Sequence, residues 1–195
     1  MDKDLIEQTK TAFDFVQKMY FEISYLIKEI EAILQEEEFV IGRPSGYGVS
    51  TRTSTGLESL NVENWLPKSF SVFFSQKDLS PMDKGITITR INESLKVLVV
   101  HIELFDKEIK KPKITYAIIT DIVSNKPKWE KFEYFLSRFS YNGKKIFSSG
   151  PNIDYEDTYF KFRGKFHTEN LFSINSSEEL KKKIIDPMLK LYRNT

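Results

Sequence analysis

The chain has 195 residues, a formal net charge of +1 and no cysteine. Near-neutral charge gives no global attraction to nucleic acid or acidic membranes. The missing thiols exclude disulfides, thiolate catalysis and cysteine-based zinc sites.

At 40% apolar residues, with 16 Phe and 9 Tyr, the composition is that of a globular chain with an aromatic-rich core. The length fits one domain, expected here over residues 1–195. Met1-Asp2-Lys3-Asp4 has no basic segment followed by an apolar run, so no signal peptide is expected. No apolar stretch is long enough for a transmembrane helix. The expected location is therefore cytoplasmic, with no membrane partner.

Residues 1–38 read as an N-terminal helix. Val16, Ile23 and Ile30 share one helical line, and Tyr20, Ile27 and Leu34 each follow four positions later. Met19, Leu26 and Ile33 widen the stripe, and no Pro or Gly interrupts it before Val40. About 30 helical residues would reach about 45 Å, long for a domain of this size. Three explanations compete. The helix lies across the whole sheet, it breaks near Thr11, or one end projects and pairs with another chain. The width of the stripe favours packing on a sheet. Val16, Ile23 and Ile30 mark the face that would otherwise form a homodimer or a protein-partner interface.

Gly42 to Gly56 is rich in Gly, Ser and Thr and carries Arg43 and Arg52, a composition suited to anion binding. It lacks the Gly-Lys-Ser/Thr of a nucleotide loop and a Gly-x-Gly-x-x-Gly fingerprint, so a surface loop is the simpler reading. A short helical turn is expected between Leu57 and Leu66.

The period then changes to two. Phe70, Val72 and Phe74 alternate with Ser69, Ser71, Phe73 and Ser75, predicting a strand with one mostly polar face. Ile86 to Ile91 predicts another strand. Leu95 to Phe105 and Ile114 to Val123 are apolar at nearly every position, as in central strands covered on both faces. The short polar link between them predicts an antiparallel hairpin, centred near Ile109, with Glu103 opposite about Tyr116.

Trp129, Phe132, Leu136 and Phe139 have helical spacing, predicting a helix near residues 128–139. The competing reading is a strand through Phe135 to Tyr141 that turns at Asn142-Gly143. Phe160, Phe162 and Phe166 alternate with charged residues in an amphipathic strand. Ser176 and Glu179 form a capping pattern before a C-terminal helix over 176–193, which Pro187 should kink or restart.

Two further side-chain groups suggest chemistry. Lys161, Arg163 and Lys165 form a basic row on one strand face. Such a row is the basis of a nucleic-acid-associated alternative, set against an ordinary solvated edge face. His101, Glu103 and Asp121 are polar groups on hydrophobic strands. They would be the residues of a hydrolase or nuclease with an acidic site on the central hairpin. The simpler reading is satisfied structural polar groups.

Neither a catalytic signature nor a metal-ligand set is present in the sequence, and no cofactor is expected. The expected architecture is α+β. N- and C-terminal helices pack on one face of a strongly twisted, mostly antiparallel sheet of about six to eight strands over residues 39–175. The expected function is that of a binding or interaction protein, dimerising through the N-terminal helix.

Overall fold

The structure, a computed structural model, describes residues 3–42, 67–76, 90–91, 94–104, 111–148 and 150–195. It is an α+β arrangement with an antiparallel sheet, and six strands lie among the described residues.

Helix α1 spans Lys3–Glu36. It closes through Glu37 N–H to Leu34 O and Glu38 N–H to Gln35 O, each at 3.2 Å. Glu38 takes φ 65°, the left-handed conformation that ends a helix. The chain then enters β1 (Phe39–Gly42), followed by β2 (Ser69–Gln76), β3 (Val97–Glu103) and β4 (Lys113–Ser124). A 3-10 turn at Pro127–Trp129 leads into α2 (Phe132–Ile146). Strands β5 (Asn152–Glu156) and β6 (Phe160–Asn170) follow. The chain closes with α3 (Ser177–Leu180), a π-helical turn (Lys181–Ile185) and α4 (Asp186–Arg193).

Strand order is β1-β2-β3-β4-β6-β5, antiparallel throughout. The two apolar runs form the centre, and both of their faces are covered. On one face Val72, Phe74, Leu98, Val100, Ile102, Ile114 and Ile118 pack with Ile27, Ile30 and Leu34 of α1 and with Leu180, Ile184 and Met188. On the other, Phe73, Val97, Val99, Ala117 and Ile119 pack with Phe132, Phe135, Phe139 and Ile146 of α2 and with Phe162 of β6.

Several expectations are corrected. Helices cover both faces of the sheet, because α2 supplies a second apolar face. The strand alternative through Phe135 to Tyr141 fails: Asn142-Gly143 lies inside α2. A Cβ on Gly143 would sit 2.9 Å from His101 Cε1, so glycine admits the close approach of helix and sheet there.

The expected polar face of β2 is interior, since it is the side on which Phe73 packs against α2, and Ser71 and Ser75 are buried there. The central hairpin pairs Glu103 with Lys113 and Val100 with Tyr116, a tighter register than expected. That parity keeps Leu98, Val100 and Ile102 on the same face as Ile114, Tyr116 and Ile118, so apolar side chains stay together.

Pro187 enters at the start of α4, directly after the π-helical turn. The wider turn accommodates a residue that cannot donate and that crowds the preceding carbonyl. Ser176 caps α3 by accepting from Glu179 N–H at 3.2 Å, as the capping pattern requires.

The Gly42 to Gly56 loop with Arg43 and Arg52, the helical turn at 57–66 and the strand at 86–91 lie outside the described residues, apart from Gly42, Arg90 and Ile91. No helix among the described residues is long and apolar enough to cross a membrane.

Candidate functional site

Four groups of side chains stand out from the packing. The first is the leading half of α1. Every residue from Asp4 to Phe15 is exposed, and burial begins only at Val16. The exposed residues include Leu5, Ile6, Phe13 and Phe15, with Phe13 at 67% and Phe15 at 68%. Of the three expected interface residues, Ile23 and Ile30 belong to the core and Val16 is half-buried at the boundary. The exposed part of the stripe is therefore N-terminal to them. Ile6, Phe13, Tyr20, Ile27 and Leu34 form one line on the helix that passes from solvent into core. Leu5, Ala12, Met19 and Leu26 form a parallel line. It runs into a groove of about 480 Å³ between α1 and the segment after β6, lined by Met19, Leu26, Leu171, Phe172 and Leu180.

The second is a polar row across the sheet. Strand register aligns Ser71, His101, Thr115 and Thr168 on β2, β3, β4 and β6. Ser71 Oγ and His101 Nδ1 are 2.8 Å apart, and the Thr115 and Thr168 hydroxyls 2.9 Å. His101 is 2% exposed and lies beneath the end of α2, where the Phe147 ring centroid is 5.3 Å from its own. Its Nε2 is 3.7 Å from Glu103 Oε1 and makes no hydrogen bond.

Asp121 does not join this row. It adopts φ 53° at a bulge in β4, where the register with β6 shifts between Thr120 and Val123. Asp tolerates the left-handed conformation because its short side chain bonds locally. A bulge residue out on the strand and a sealed imidazole cannot share a substrate, so His101, Glu103 and Asp121 do not form the expected acidic site. Among the described residues no group of three or more His, Asp or Glu could hold a metal ion.

The third is the basic row on β6. Lys161, Arg163 and Lys165 are exposed, but β5 lies alongside them. Lys161 Nζ is 3.1 Å from Glu156, and the register sets Asp154 beside Arg163. His167 is 2.9 Å from Glu169. Acids on β5 and β6 therefore offset much of the field that the row would present to a polyanion.

The fourth was missed by sequence reading. At the β5–β6 turn, Asp157 accepts from Tyr159 N–H at 2.7 Å, Phe160 N–H at 2.8 Å, Arg138 Nε at 2.8 Å and Tyr155 Oη at 3.2 Å. Burial alone would raise the Asp157 carboxyl. The Phe160 and Tyr159 amides and the Arg138 guanidinium outweigh burial and hold it below the usual carboxylate value. Tyr155 is pushed up to about 12, by burial first and then by the Asp157 charge. Around this anchor Trp129, Tyr134, Tyr141 and Tyr159 gather with Lys126, Lys131 and Arg138. The sequence signal was the run Lys126 to Arg138, which mixes aromatics and cations, but Tyr159 joins it only through the fold.

No family model, curated protein or solved structure matches this chain.

Proposed function

We propose that this is an interaction protein that self-associates through the leading half of α1. The observation that carries this reading is the apolar stripe of α1, which continues past the sheet with its side chains in solvent. Contiguous exposed apolar surface of this kind marks interaction sites in soluble proteins. A helix end of this length, with its apolar side chains exposed, is also marginal in water.

A second copy is the favoured occupant because it brings the same stripe, as a two-fold interface requires. The charge pattern fits an antiparallel pair. Centred on Val16, such a pair places Lys10 level with Glu22 of the second copy, Asp14 with Lys18, and Asp4 with Lys28. Like charges do not fall level between residues 4 and 28, whereas a parallel pair would set every charge beside its own copy. Charges at the rim of an interface add little strength but select orientation. In this arrangement the groove beside Met19 and Leu26 lies on the path of the second copy's leading half.

Light scattering coupled to size-exclusion chromatography tests the reading. The native chain is expected to run at twice the monomer mass at high loading, and the Phe13→Glu variant as a monomer with an unchanged circular dichroism spectrum. A native chain that stays monomeric at every loading contradicts it.

A further inference from the structure

The aromatic surface at the end of the sheet supports a different interaction, independent of α1. On α2, Tyr134, Arg138 and Tyr141 lie on one helical face, while Phe132, Phe135 and Phe139 are buried on another. Tyr134 and Tyr141 are 36% and 52% exposed, and Trp129 and Tyr159 are half-buried beside them.

The rings are contiguous. Trp129 is 4.3 Å from Tyr159 and 5.2 Å from Tyr134, between ring centroids. Arg138 links the remaining pair, 4.8 Å from the Tyr159 ring and 5.6 Å from Tyr141. The same Arg138 is fixed by Asp157 at 2.8 Å, which is itself held by two backbone amides, so the platform is ordered before any ligand arrives.

Cations surround it. Lys126 lies 5.0 Å from the Tyr159 ring, Lys131 lies 5.7 Å from Tyr134, and Lys128 is exposed between them in sequence. The acids nearby in sequence are Glu130 and Glu133, while the Asp157 charge is directed at Arg138.

We propose that this surface binds single-stranded nucleic acid. Bases stack on Tyr134, Trp129, Tyr159 and Tyr141, and Lys126, Lys128 and Lys131 neutralise the backbone phosphates. Every base offers a π-face, so such a platform is tolerant of sequence, and its affinity is salt-dependent. An acidic peptide would use the lysines but leave the rings without a role, which is why nucleic acid is the better fit.

The test uses the full chain with Trp65→Phe, which leaves Trp129 as the sole tryptophan of the two in the sequence. Titration with an oligothymidylate at low salt should quench Trp129 fluorescence. The logarithm of the affinity should fall with log salt at a slope of about −2, as expected for three neutralised phosphates on a single strand. Tyr141→Ala should weaken binding about tenfold. Lys126→Glu with Lys131→Glu, both at exposed positions, should weaken it further. Each variant is checked for an unchanged thermal transition. If one fails to fold, the quenching and the salt slope of the parent still decide. The absence of binding at low salt overturns the proposal. So does binding unchanged by both variants. Polyglutamate binding as tightly as the oligonucleotide, without quenching, also overturns it and assigns the surface to acidic peptides.

Discussion

His101 Nδ1 and Ser71 Oγ meet at 2.8 Å between adjacent strands, in a position where neither side chain reaches solvent. A buried polar atom that loses its partner carries its full desolvation cost. Ser71→Ala should therefore destabilise the fold by about 1–3 kcal/mol, well beyond the loss of one hydroxyl at the surface. Urea denaturation measures it. A change below about 0.5 kcal/mol would mean that the imidazole finds another partner.

The same imidazole explains a glycine. In an exposed helix interior, Gly→Ala stabilises by about 1 kcal/mol. At Gly143 the added methyl would meet His101 Cε1 at 2.9 Å, so Gly143→Ala should destabilise by about 1–3 kcal/mol. Combining it with His101→Ala should recover part of that loss. A double-mutant cycle reads the coupling, and additive effects would disprove the contact.

These two residues also show where sequence reading stops. Strands β3 and β4 were legible because runs that are apolar at nearly every position have one physical explanation, burial on both faces. Phe132, Leu136 and Phe139 signalled a helix, but Asn142-Gly143 kept a turn open as the competing reading. The reason for Gly143 is a contact with a residue more than forty positions away, and local pattern cannot carry it. Ser71 and Ser75 likewise looked like a solvent face because the element that covers that face, α2, comes more than fifty positions later in the chain. Asp121 looked chemical, since polarity in an apolar strand asks for a reason. The reason was backbone geometry. For the candidate surfaces, the exposed end of α1 was one of three explanations offered for its length. The Trp129–Tyr159 pair needed the fold.

The anchor at Asp157 predicts acid sensitivity. Its carboxyl is held below the ordinary value of 3.8, so it stabilises the fold fully above that pH. The contribution fades as pH falls from 3.8 through the lower folded value. Asp157→Asn should flatten that part of the stability–pH curve. Tyr155 acts at the other end. Its folded value of about 12 exceeds the ordinary value of 10.0, so its contribution is complete below pH 10 and is lost between about 10 and 12. Tyr155→Phe should remove that alkaline slope. Chemical denaturation across pH checks both. A slope unchanged in either variant contradicts the corresponding assignment.

Two positions on α1 should behave in opposite ways. Ile30 is 1% exposed within the core, so Ile30→Ala should cost about 2–5 kcal/mol of folding stability. Phe13 is in solvent, and Phe13→Ala should leave the stability of the dilute protein within about 0.5 kcal/mol. It should weaken self-association instead. Denaturation and light scattering on the same samples separate the two. A large stability loss from Phe13→Ala at high dilution would place its ring in an intramolecular contact.

Amide hydrogen exchange along α1, read at low and high protein concentration, addresses the self-association claim most directly. An uncovered helix end exchanges through fraying, whereas a packed one exchanges only when its partner leaves. Protection from residue 5 to residue 16 should rise with concentration until it approaches that of Ile23 to Leu34. Protection that is weak and independent of concentration throughout that stretch would contradict it.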